Sequence, residues 1–339
     1  MSEVKLLGTG SGVPEKIVTN HDLTRLVETS DEWIRTRTGI CRRHVVTGEN
    51  LTSLCVEASK KALKASGISP LDLDMIIVAT LTPDEPLPNA SSAVQKELGA
   101  VNAFCFDLSA ACSGFVYAMG CAAMYIKGGA ARYVLVIGGE VLSKITNWAD
   151  RSTCILFGDG AGAAVFGVSD EPGFLGMSMG TDGQRGYTLK MFEREMDNPF
   201  MTEEQRRAAN MEEGPEGTLI PKSRYVSMDG SEVFKFAVKK VPESIHQVLE
   251  AQHMTVEDVD HFVLHQANYR IIESVAKRLK APMDKFIITI DEYGNTSAAS
   301  VPLALDELMA SGKVKKGETI MISGFGGGLT WGSILMRMV

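Results

Sequence analysis

Short apolar runs alternate with stretches of helical periodicity through the first half of the chain. Such segments follow one another at residues 4–7, 51–66, 75–80, 101–108, 133–137 and 154–168. After residue 112, apolar side chains recur at helical spacing in Phe115, Met119, Ala122, Ala123 and Ile126. Strands that alternate with helices in this way are typical of an α/β fold.

The second half repeats the alternation after an interruption. Residues 186–221 are rich in Glu, Arg, Asn, Met and Pro, and we interpret them as an excursion over the surface with a short charged helix at 202–211. Beyond them the pattern predicts helix 231–251, strand 261–264, helix 268–279, strand 286–290, an Ala-rich helix and strand 319–322.

The two halves also resemble each other. Phe104-Cys-Phe-Asp-Leu-Ser-Ala-Ala-Cys112 precedes a helix and the run Val134-Leu-Val-Ile-Gly-Gly139. The matching order is Phe286-Ile-Ile-Thr-Ile-Asp-Glu-Tyr-Gly-Asn295, a helix and Ile320-Met-Ile-Ser-Gly324. This self-similarity predicts an internal duplication in which Asn295 takes the place of Cys112. Chance likeness between two common strand-turn-helix units is the alternative.

Length, hydropathy and charge limit the class of protein. The 339 residues suffice for about two domains. No apolar run reaches the ~18 residues needed to span a membrane, and Met-Ser-Glu-Val-Lys lacks a signal peptide's basic and apolar regions. We therefore expect a cytoplasmic protein without a membrane partner. The net charge of −8 argues against nucleic-acid binding, which needs a basic face.

Cysteine spacing gives no sign of a metal site. The chain contains no C-x-x-C pair and no cysteines clustered with histidine at zinc-ligand spacing. We expect reduced thiols at Cys41, Cys55, Cys105, Cys112, Cys121 and Cys154.

Cys112 has the sequence setting of a nucleophile. It lies in Asp107-Leu-Ser-Ala-Ala-Cys-Ser-Gly-Phe115, where a strand pattern meets a turn of small residues and then a helix pattern. Unsatisfied amides at a helix N-terminus favour the thiolate, so we expect the pKa of this thiol to fall below its usual ~8.5. Such an elbow also leaves backbone amides free to hold an oxyanion. A small buried structural cysteine is the alternative.

Two further polar residues follow predicted structural elements. His265 ends the strand Phe262-Val-Leu-His265, and Asn295 lies in Gly294-Asn-Thr-Ser-Ala298. Both are candidates for a cleft at the strand ends. A histidine satisfied by a backbone carbonyl and an asparagine that caps a turn or helix are the structural alternatives.

Several longer motifs occur in order along nearly the whole chain. They are Gly8-Thr-Gly-Ser11, Thr29-Ser-Asp-Glu-Trp-Ile-Arg-Thr-Arg-Thr-Gly-Ile40, Phe157-Gly-Asp-Gly-Ala-Gly-Ala-Ala164, His265-Gln-Ala-Asn268, Gly294-Asn-Thr-Ser-Ala-Ala-Ser-Val-Pro302 and Gly324-Phe-Gly-Gly-Gly-Leu-Thr-Trp-Gly332. With the Cys112 elbow, they resemble the β-ketoacyl-ACP synthase III family, thiolase-fold condensing enzymes that start fatty acid synthesis. The resemblance implies duplicated α/β halves in five αβαβα layers, at residues 1–172 and 173–339.

The resemblance also implies an acyltransferase mechanism. Cys112, His265 and Asn295 would form a Cys-His-Asn triad, in which Cys112 takes the acyl group of a short acyl-CoA. Malonyl-ACP would then lose CO₂ and condense with acyl-Cys112 to give a β-ketoacyl-ACP. The amides of Cys112 and Gly327 would hold the oxyanion, while His265 and Asn295 would stabilise the enolate as neutral donors. This chemistry needs no cofactor and no metal.

The same resemblance assigns binding residues. For CoA they are Thr29, Trp33, Arg37, Arg151 and Asn268, with the adenine between Trp33 and Arg151. The acidic carrier protein needs a local positive face, for which the resemblance indicates Arg270 and Lys235. Leu87 stands where an aromatic residue often closes the acyl pocket of the partner in a homodimer, which suggests longer or branched primers.

Other functions share parts of this pattern. A starter enzyme of polyketide or secondary metabolism has the same triad and is the principal alternative. A catalytically silent carrier-protein-binding homologue is disfavoured by the intact triad. A thiolase is disfavoured because Gly324-Phe-Gly-Gly-Gly328 lacks a second cysteine, and elongating synthases use two histidines where this chain has His265 and Asn295.

Overall fold

Strands and helices alternate along the chain as predicted. This computed structural model describes residues 2–192, 195–213 and 218–339. Its strands are β1 (Glu3–Gly12), β2 (Ile17–Thr19), β3 (Arg42–His44), β4 (Met75–Ala79), β5 (Phe104–Leu108), β6 (Tyr133–Val141), β7 (Asp159–Ser169), β8 (Phe174–Thr181), β9 (Leu189–Lys190), β10 (Met211–Glu213), β11 (Leu219–Pro221), β12 (Ser227–Met228), β13 (His261–Leu264), β14 (Thr319–Gly326) and β15 (Thr330–Arg337). Its helices are α1 (Asn20–Leu23), α2 (Asp31–Thr38), α3 (Leu51–Ser66), α4 (Ala90–Leu98), α5 (Gly114–Lys127), α6 (Arg151–Cys154), α7 (Glu203–Asn210), α8 (Gly230–Ala251), α9 (Tyr269–Leu279), α10 (Ile290–Tyr293) and α11 (Ser300–Ala310).

Two mixed sheets carry the main framework. The first has the strand order β1-β7-β6-β4-β5, and the second has the order β13-β14-β15-β8. In the first sheet β4 runs parallel to β5 and β6, while β7 runs antiparallel to β6 and β1. In the second sheet β13 runs parallel to β14, and β15 runs antiparallel to β14 and β8. Both sheets therefore have parallel strands on one side and antiparallel strands on the other.

Three of the four apolar cores formed by the described residues lie on the faces of the two sheets and divide them into layers. α5 and α11 lie between the two sheets, where Phe115, Met119, Ala122, Ala123 and Ile126 are each at most 1% exposed. This confirms the helical apolar stripe that the sequence predicts after Cys112. A second core packs α3 and α4 on the outer face of the first sheet, and a third packs α8 and α9 on the second. The order helix, sheet, helix, sheet, helix is the predicted five-layered arrangement.

A repeat in chain order relates the two sheets. Three pairs of elements begin at positions separated by the same number of residues. β4 and β13 begin at Met75 and His261, α5 and α11 at Gly114 and Ser300, and β6 and β14 at Tyr133 and Thr319. At this offset Cys112 corresponds to Ala298. The predicted equivalence of Cys112 with Asn295 was therefore wrong.

The misalignment comes from the predicted strand 286–290. There the chain forms a single parallel bridge between Phe286 and Phe262 and then turns into α10. As a result, Asn295 precedes the turn Ser297–Ala299, which is the counterpart of the turn that contains Cys112. The proposed division at residues 172 and 173 falls between β7 and β8 and remains a prediction.

The interruption at residues 186–221 is only partly a surface excursion. The charged helix predicted at 202–211 is confirmed as α7, which has no buried residue. At the start of the segment, however, Thr188 is 2% exposed, and Leu189 to Met191 line the cavity that Cys112 also lines. Among the described residues, no helix is long and apolar enough to cross a membrane.

Glycines on β1 allow α3 to approach the first sheet. A Cβ atom added to Gly10 would lie 2.4 Å from the carbonyl oxygen of Ala58 and 2.5 Å from the amide nitrogen of Ala62. Both are helix backbone atoms that cannot rotate away. Gly10 is therefore required by close packing.

We predict that Gly10→Ala lowers the free energy of unfolding by about 1–3 kcal/mol, because the new methyl group pushes α3 away from β1. Chemical denaturation measures the change. Gly48→Ala is the matched control, since a Cβ there meets no atom within 4 Å. Equal stability of the two variants would show that the β1–α3 contact tolerates the added volume.

Candidate active site

The predicted triad residues line one cavity between the two halves of the repeat. Its volume is about 310 Å³, and Cys112, His265 and Asn295 all contribute to its wall. Gly326 and Gly327, which follow Phe325 at the end of β14, lie beside them. The cavity wall is otherwise largely apolar, with Leu81, Leu142, Ile145, Leu156, Phe157 and Val233 among its members.

Cys112 lies in a 3-10 turn immediately before α5. The preceding Ala111 has a left-handed backbone conformation with φ of 45°, and the turn covers Ala111–Ser113. Only 7% of Cys112 is exposed. A Cβ atom on Gly326 would lie 2.9 Å from the Cys112 sulfur, so glycine at this position leaves space for the thiol.

Burial controls the protonation of Cys112. It raises the pKa of the thiol to about 11, and the negative charge of Glu140 adds to the rise. The hydroxyl of Ser297 and the amides of Cys112 and Gly327 act in the opposite direction. The predicted lowering of this pKa was therefore wrong, because withdrawal from water outweighs the nearby amides. The resting group is the thiol.

His265 directly follows β13 and is neutral. Its backbone amide donates to the carbonyl of Ser323 at 2.8 Å, and its ring meets Phe325 edge to face at 5.0 Å. The residue is 1% exposed, and burial lowers the pKa of the imidazole to about 3. Its Nδ1 atom is buried and has no hydrogen-bond partner among the described residues. The imidazole thus presents an uncharged ring to the cavity.

Asn295 is held by its own backbone and by the following turn. Its amide nitrogen donates to Leu156 at 2.8 Å, and its carbonyl accepts from Gly158 at 3.0 Å. The side-chain Oδ1 accepts a hydrogen bond of 2.9 Å from the amide of Ser297. Because the oxygen is held in this way, the Nδ2 group is the donor that remains for a molecule in the cavity.

Glu140 is a buried carboxyl that sequence reasoning missed. It lies near the end of β6 with 0% exposure, and burial raises its pKa to about 7. It accepts hydrogen bonds from Thr80, Thr82 and Leu81, and its Oε1 accepts one from Ser297 at 3.2 Å. A single acidic residue at the end of the apolar run Val134-Leu-Val-Ile-Gly-Gly139 was the available signal.

Trp33 lies on α2 and its ring contacts two guanidinium groups. Ser30 caps this helix and Gly39 ends it with φ of 84°. The Cζ atoms of Arg37 and Arg151 lie 4.7 and 4.9 Å from the Trp33 ring centre. These spacings are typical of cation–π contacts. Since no ring fits into the space between Trp33 and Arg151, a purine could stack there only after the guanidinium moves.

The other predicted CoA residues lie close to α2. Asn268 lines the cavity, caps α9 by accepting from the amide of Arg270, and donates from Nδ2 to the carbonyl of Arg37 at 3.1 Å. The hydroxyl of Thr29 is buried without a hydrogen-bond partner among the described residues. The structure therefore brings Thr29, Trp33, Arg37 and Asn268 to one region.

The residues predicted for carrier docking lie outside the cavity. Arg270 is exposed and donates to the carbonyl of Thr36 at 2.8 Å. Lys235 is exposed and pairs with Glu232 at 2.8 Å. Leu87 is 85% exposed and does not line the cavity. The roles of all three remain predictions.

Comparisons with known proteins agree on one family. Models of 3-oxoacyl-[acyl-carrier-protein (ACP)] synthase III match residues 106–183 and, for the C-terminal part, residues 249–338. A β-ketoacyl-[acyl-carrier-protein] synthase III from Clostridium acetobutylicum is 47% identical over 337 residues, 99% of each chain. The chain belongs to the β-ketoacyl-ACP synthase III family.

Solved structures of β-ketoacyl-ACP synthase III share the fold. The enzyme from Aquifex aeolicus VF5 is 43% identical with a TM-score of 0.88, covering 98% of this chain and 99% of its own. The priming β-ketosynthase of the R1128 polyketide pathway is 38% identical with a TM-score of 0.88, covering 99% and 96%. The predicted thiolase-like α/β fold and the assignment as a condensing enzyme are confirmed.

We predict that Gly326→Ala slows alkylation of Cys112 by iodoacetamide about a hundredfold, because the added methyl group displaces the thiol. Intact-protein mass at fixed pH follows the reaction. Gly230→Ala is the matched control on the same cavity, where the nearest atom to a new Cβ is 3.9 Å away. Equal rates for both variants would contradict the tight contact between Gly326 and Cys112.

Proposed function

We propose that this protein starts fatty acid synthesis by condensing a short acyl-CoA primer with malonyl-ACP, through an acyl group carried on Cys112. The observation that carries the proposal is the presence of Cys112, neutral His265 and Asn295 on one mostly apolar cavity. These residue types suit a reaction that first stores an acyl group and then stabilises an enolate. The reaction needs neither a metal nor a redox cofactor.

The first half-reaction is acyl transfer. The Cys112 sulfur attacks the thioester carbonyl of the acyl-CoA, and CoA leaves as its thiolate. The amides of Cys112 and Gly327 already lie at the Cys112 sulfur. Amides in this position can also donate to the oxygen that becomes negative when the carbonyl is attacked. The low polarity of the cavity strengthens these hydrogen bonds.

The second half-reaction is decarboxylation and condensation. Loss of CO₂ from malonyl-ACP places negative charge on its thioester oxygen, and two uncharged donors, the His265 imidazole and the Asn295 amide, stabilise it. A pKa of about 3 keeps His265 neutral at physiological pH. The enolate carbon then attacks acyl-Cys112, and the β-ketoacyl-ACP leaves.

The cavity mouth suits an acyl-CoA. Arg37 and Arg151 offer positive charge to phosphates, and Trp33 offers a ring face on which adenine can stack. Thr29 brings a hydroxyl without a hydrogen-bond partner in the part of the chain that the structure describes, and Asn268 lines the cavity.

For the carrier protein we propose a face made by the first turns of α8 and α9, with Lys235 and Arg270. Val233 and Phe234 of α8 and Ile271 of α9 line the cavity, so both charges lie close to its opening. An acidic carrier docked there could pass its prosthetic arm to Cys112.

We further propose a homodimer that uses β5, because this strand ends the first sheet. Phe104 on β5 is 47% exposed and Val101 beside it is 71% exposed. An unpaired edge with exposed apolar side chains is suited to pairing with a second copy. Leu87 would then be available to the partner's acyl pocket.

A starter enzyme of polyketide metabolism is the second candidate function. The R1128 priming β-ketosynthase favours it, with 38% identity over 99% of this chain. The two functions differ in the primer and the carrier protein, while the chemistry at Cys112 is the same.

The decisive experiment is intact-protein mass after mixing with acetyl-, isobutyryl- or octanoyl-CoA, followed by malonyl-ACP. We expect each accepted primer to add one acyl mass, which disappears as β-ketoacyl-ACP forms. Cys112→Ala should take no acyl group, whereas Cys121→Ala on α5 should react normally. Absence of any adduct would refute the enzyme assignment, and reaction with acetyl-CoA alone would refute the role of Leu87.

We predict that His265→Ala retains acyl transfer but slows condensation about 10²- to 10³-fold, because one enolate donor is lost. The protein is acylated first, and loss of the acyl mass after adding malonyl-ACP gives the condensation rate. His261→Ala is the matched control, since His261 begins the same strand and pairs with Glu318. If transfer falls as far as condensation, His265 is also the base for the thiol.

A further inference from the structure

Glu140 has two differently occupied carboxyl oxygens. Its Oε2 accepts from the hydroxyls of Thr80 and Thr82, at 3.2 and 2.6 Å, and from the amide of Leu81 at 3.2 Å. Its Oε1 accepts from the hydroxyl of Ser297 at 3.2 Å and only weakly from Leu81 at 3.4 Å. The carboxyl is therefore fixed in place, with one oxygen directed to Ser297.

Ser297 connects this carboxyl with the reaction site. Both Ser297 and Cys112 line the cavity, and the Ser297 hydroxyl lowers the pKa of the Cys112 thiol. The amide of Ser297 holds the side chain of Asn295. A φ of 48° places its backbone in the left-handed region, which serine seldom occupies. The single hydroxyl proton of Ser297 can be donated to the Cys112 sulfur, which lowers the pKa of the thiol, or to Glu140. When it is donated to Glu140, the hydroxyl oxygen can accept the proton of the Cys112 thiol.

Acyl transfer requires a proton acceptor for that thiol. At a pKa of about 11, Cys112 is almost entirely protonated at neutral pH. Glu140, with a pKa of about 7, is about half ionised there and can accept a proton. The ordered contact from Cys112 through Ser297 to Glu140 supplies the path.

We propose that Glu140 accepts the Cys112 proton through the Ser297 hydroxyl during acyl transfer and returns it after condensation. The inference rests on the proposed function and adds a proton path to it. Glu140 does not touch the substrate or the Cys112 sulfur itself. It acts through Ser297, which it holds by a hydrogen bond and which in turn holds the side chain of Asn295.

The proton transfers balance over the full cycle. As sulfur bonds to the acyl carbon, its proton moves to Ser297 Oγ, and the serine's own proton moves to Glu140 Oε1. The CoA thiolate that leaves takes a proton from solvent. After the enolate attacks, the C–S bond to Cys112 breaks, and the departing thiolate recovers the stored proton along the same path.

Other ionisable groups face this region from neighbouring elements. Cys55 on α3 lies within reach of the charges of Glu140, Asp84 and Asp107, and burial raises its pKa so that it remains a thiol. The carboxylate of Asp84 accepts a hydrogen bond from a backbone amide at the start of α3, and that of Asp107 accepts one at the start of α4. Lys144 donates to the carbonyls of Thr82 and Pro83. On the paired strand β7, Asp159 accepts from Val46 and Ser143.

Glu140→Gln tests the path, because three donors surround Oε2 and will hold the amide oxygen there. The amide nitrogen then faces Ser297 and cannot accept its proton. We expect acyl transfer, followed by intact mass, to slow about a hundredfold. Wild-type transfer should rise about tenfold per pH unit up to pH 7 and then level off, because Glu140 is ionised above that pH. The variant should show no plateau near pH 7, because its rate follows the thiolate of Cys112, whose pKa is about 11.

Ser297→Ala provides a second variant that keeps the amide contact to Asn295, and it should show the same slowing and the same loss of the plateau near pH 7. Asp159→Asn removes another fully buried carboxyl beside β6 and should keep the wild-type pH profile. Circular dichroism shows whether each variant is folded. If Glu140→Gln is unfolded, the result for Ser297→Ala decides whether the proton path exists.

Three outcomes would overturn the proton path. The first is acyl transfer in Glu140→Gln that is as fast as or faster than in the wild type. The second is slower transfer in Glu140→Gln with an unchanged pH profile. The third is a wild-type pH profile in folded Ser297→Ala. Alkylation of Cys112 by iodoacetamide, compared in the same variants, reports on the thiol without any acyl-CoA. If the wild-type protein accepts no acyl-CoA, the proposed function fails, whereas the alkylation profile still tests the proton path.

Discussion

Withdrawal from water sets the chemical state of the whole site. Cys112, His265, Asn295 and Glu140 are each at most 7% exposed. Burial disfavours every charged form, so it raises the pKa of Cys112 and Glu140 and lowers that of His265. A neutral thiol, a neutral imidazole and a carboxyl that changes charge near neutral pH follow from this one constraint. In the same low-polarity setting, donors aimed at a developing oxyanion or enolate are stronger than they would be in water.

Such a site exists only because strands of both sheets come very close to the turns before α5 and α11. A Cβ atom on Gly138 would lie 2.2 Å from the carbonyl oxygen of Ala298, and one on Gly324 would lie 3.1 Å from the carbonyl oxygen of Cys112. Glycine at these positions lets β6 and β14 contact the turns before α5 and α11. Backbone amides are therefore placed around the thiol by main-chain packing, which side-chain fluctuations disturb little.

Local patterns were sufficient to predict the alternation of elements and the buried stripe of α5, whereas the family resemblance was needed to bring together the three residues that share the cavity. They failed where an outcome depends on contacts between distant parts of the chain. The helix-end argument for Cys112 omitted the burial that raises its pKa, because burial comes from both sheets. Glu140 and Ser297 are far apart in sequence, so their contact left no local signal. The matching of Asn295 with Cys112 assumed a strand at 286–290, where α10 follows a single bridge at Phe286.

The corrected repeat explains why a duplicated framework carries one site. At the offset that relates the sheets, Cys112 corresponds to Ala298, His265 to Ala79 and Ser297 to Ala111. Each of these three polar positions thus has an alanine as its counterpart, whereas Asn295 corresponds to Ser109. Ala79 and Ala298 are at most 1% exposed. A buried polar group is tolerated only with hydrogen-bond partners, whereas a buried alanine needs none. Each half therefore contributes polar groups where the other is apolar, so that one cavity receives the thiol of the first half and the imidazole and amide of the second.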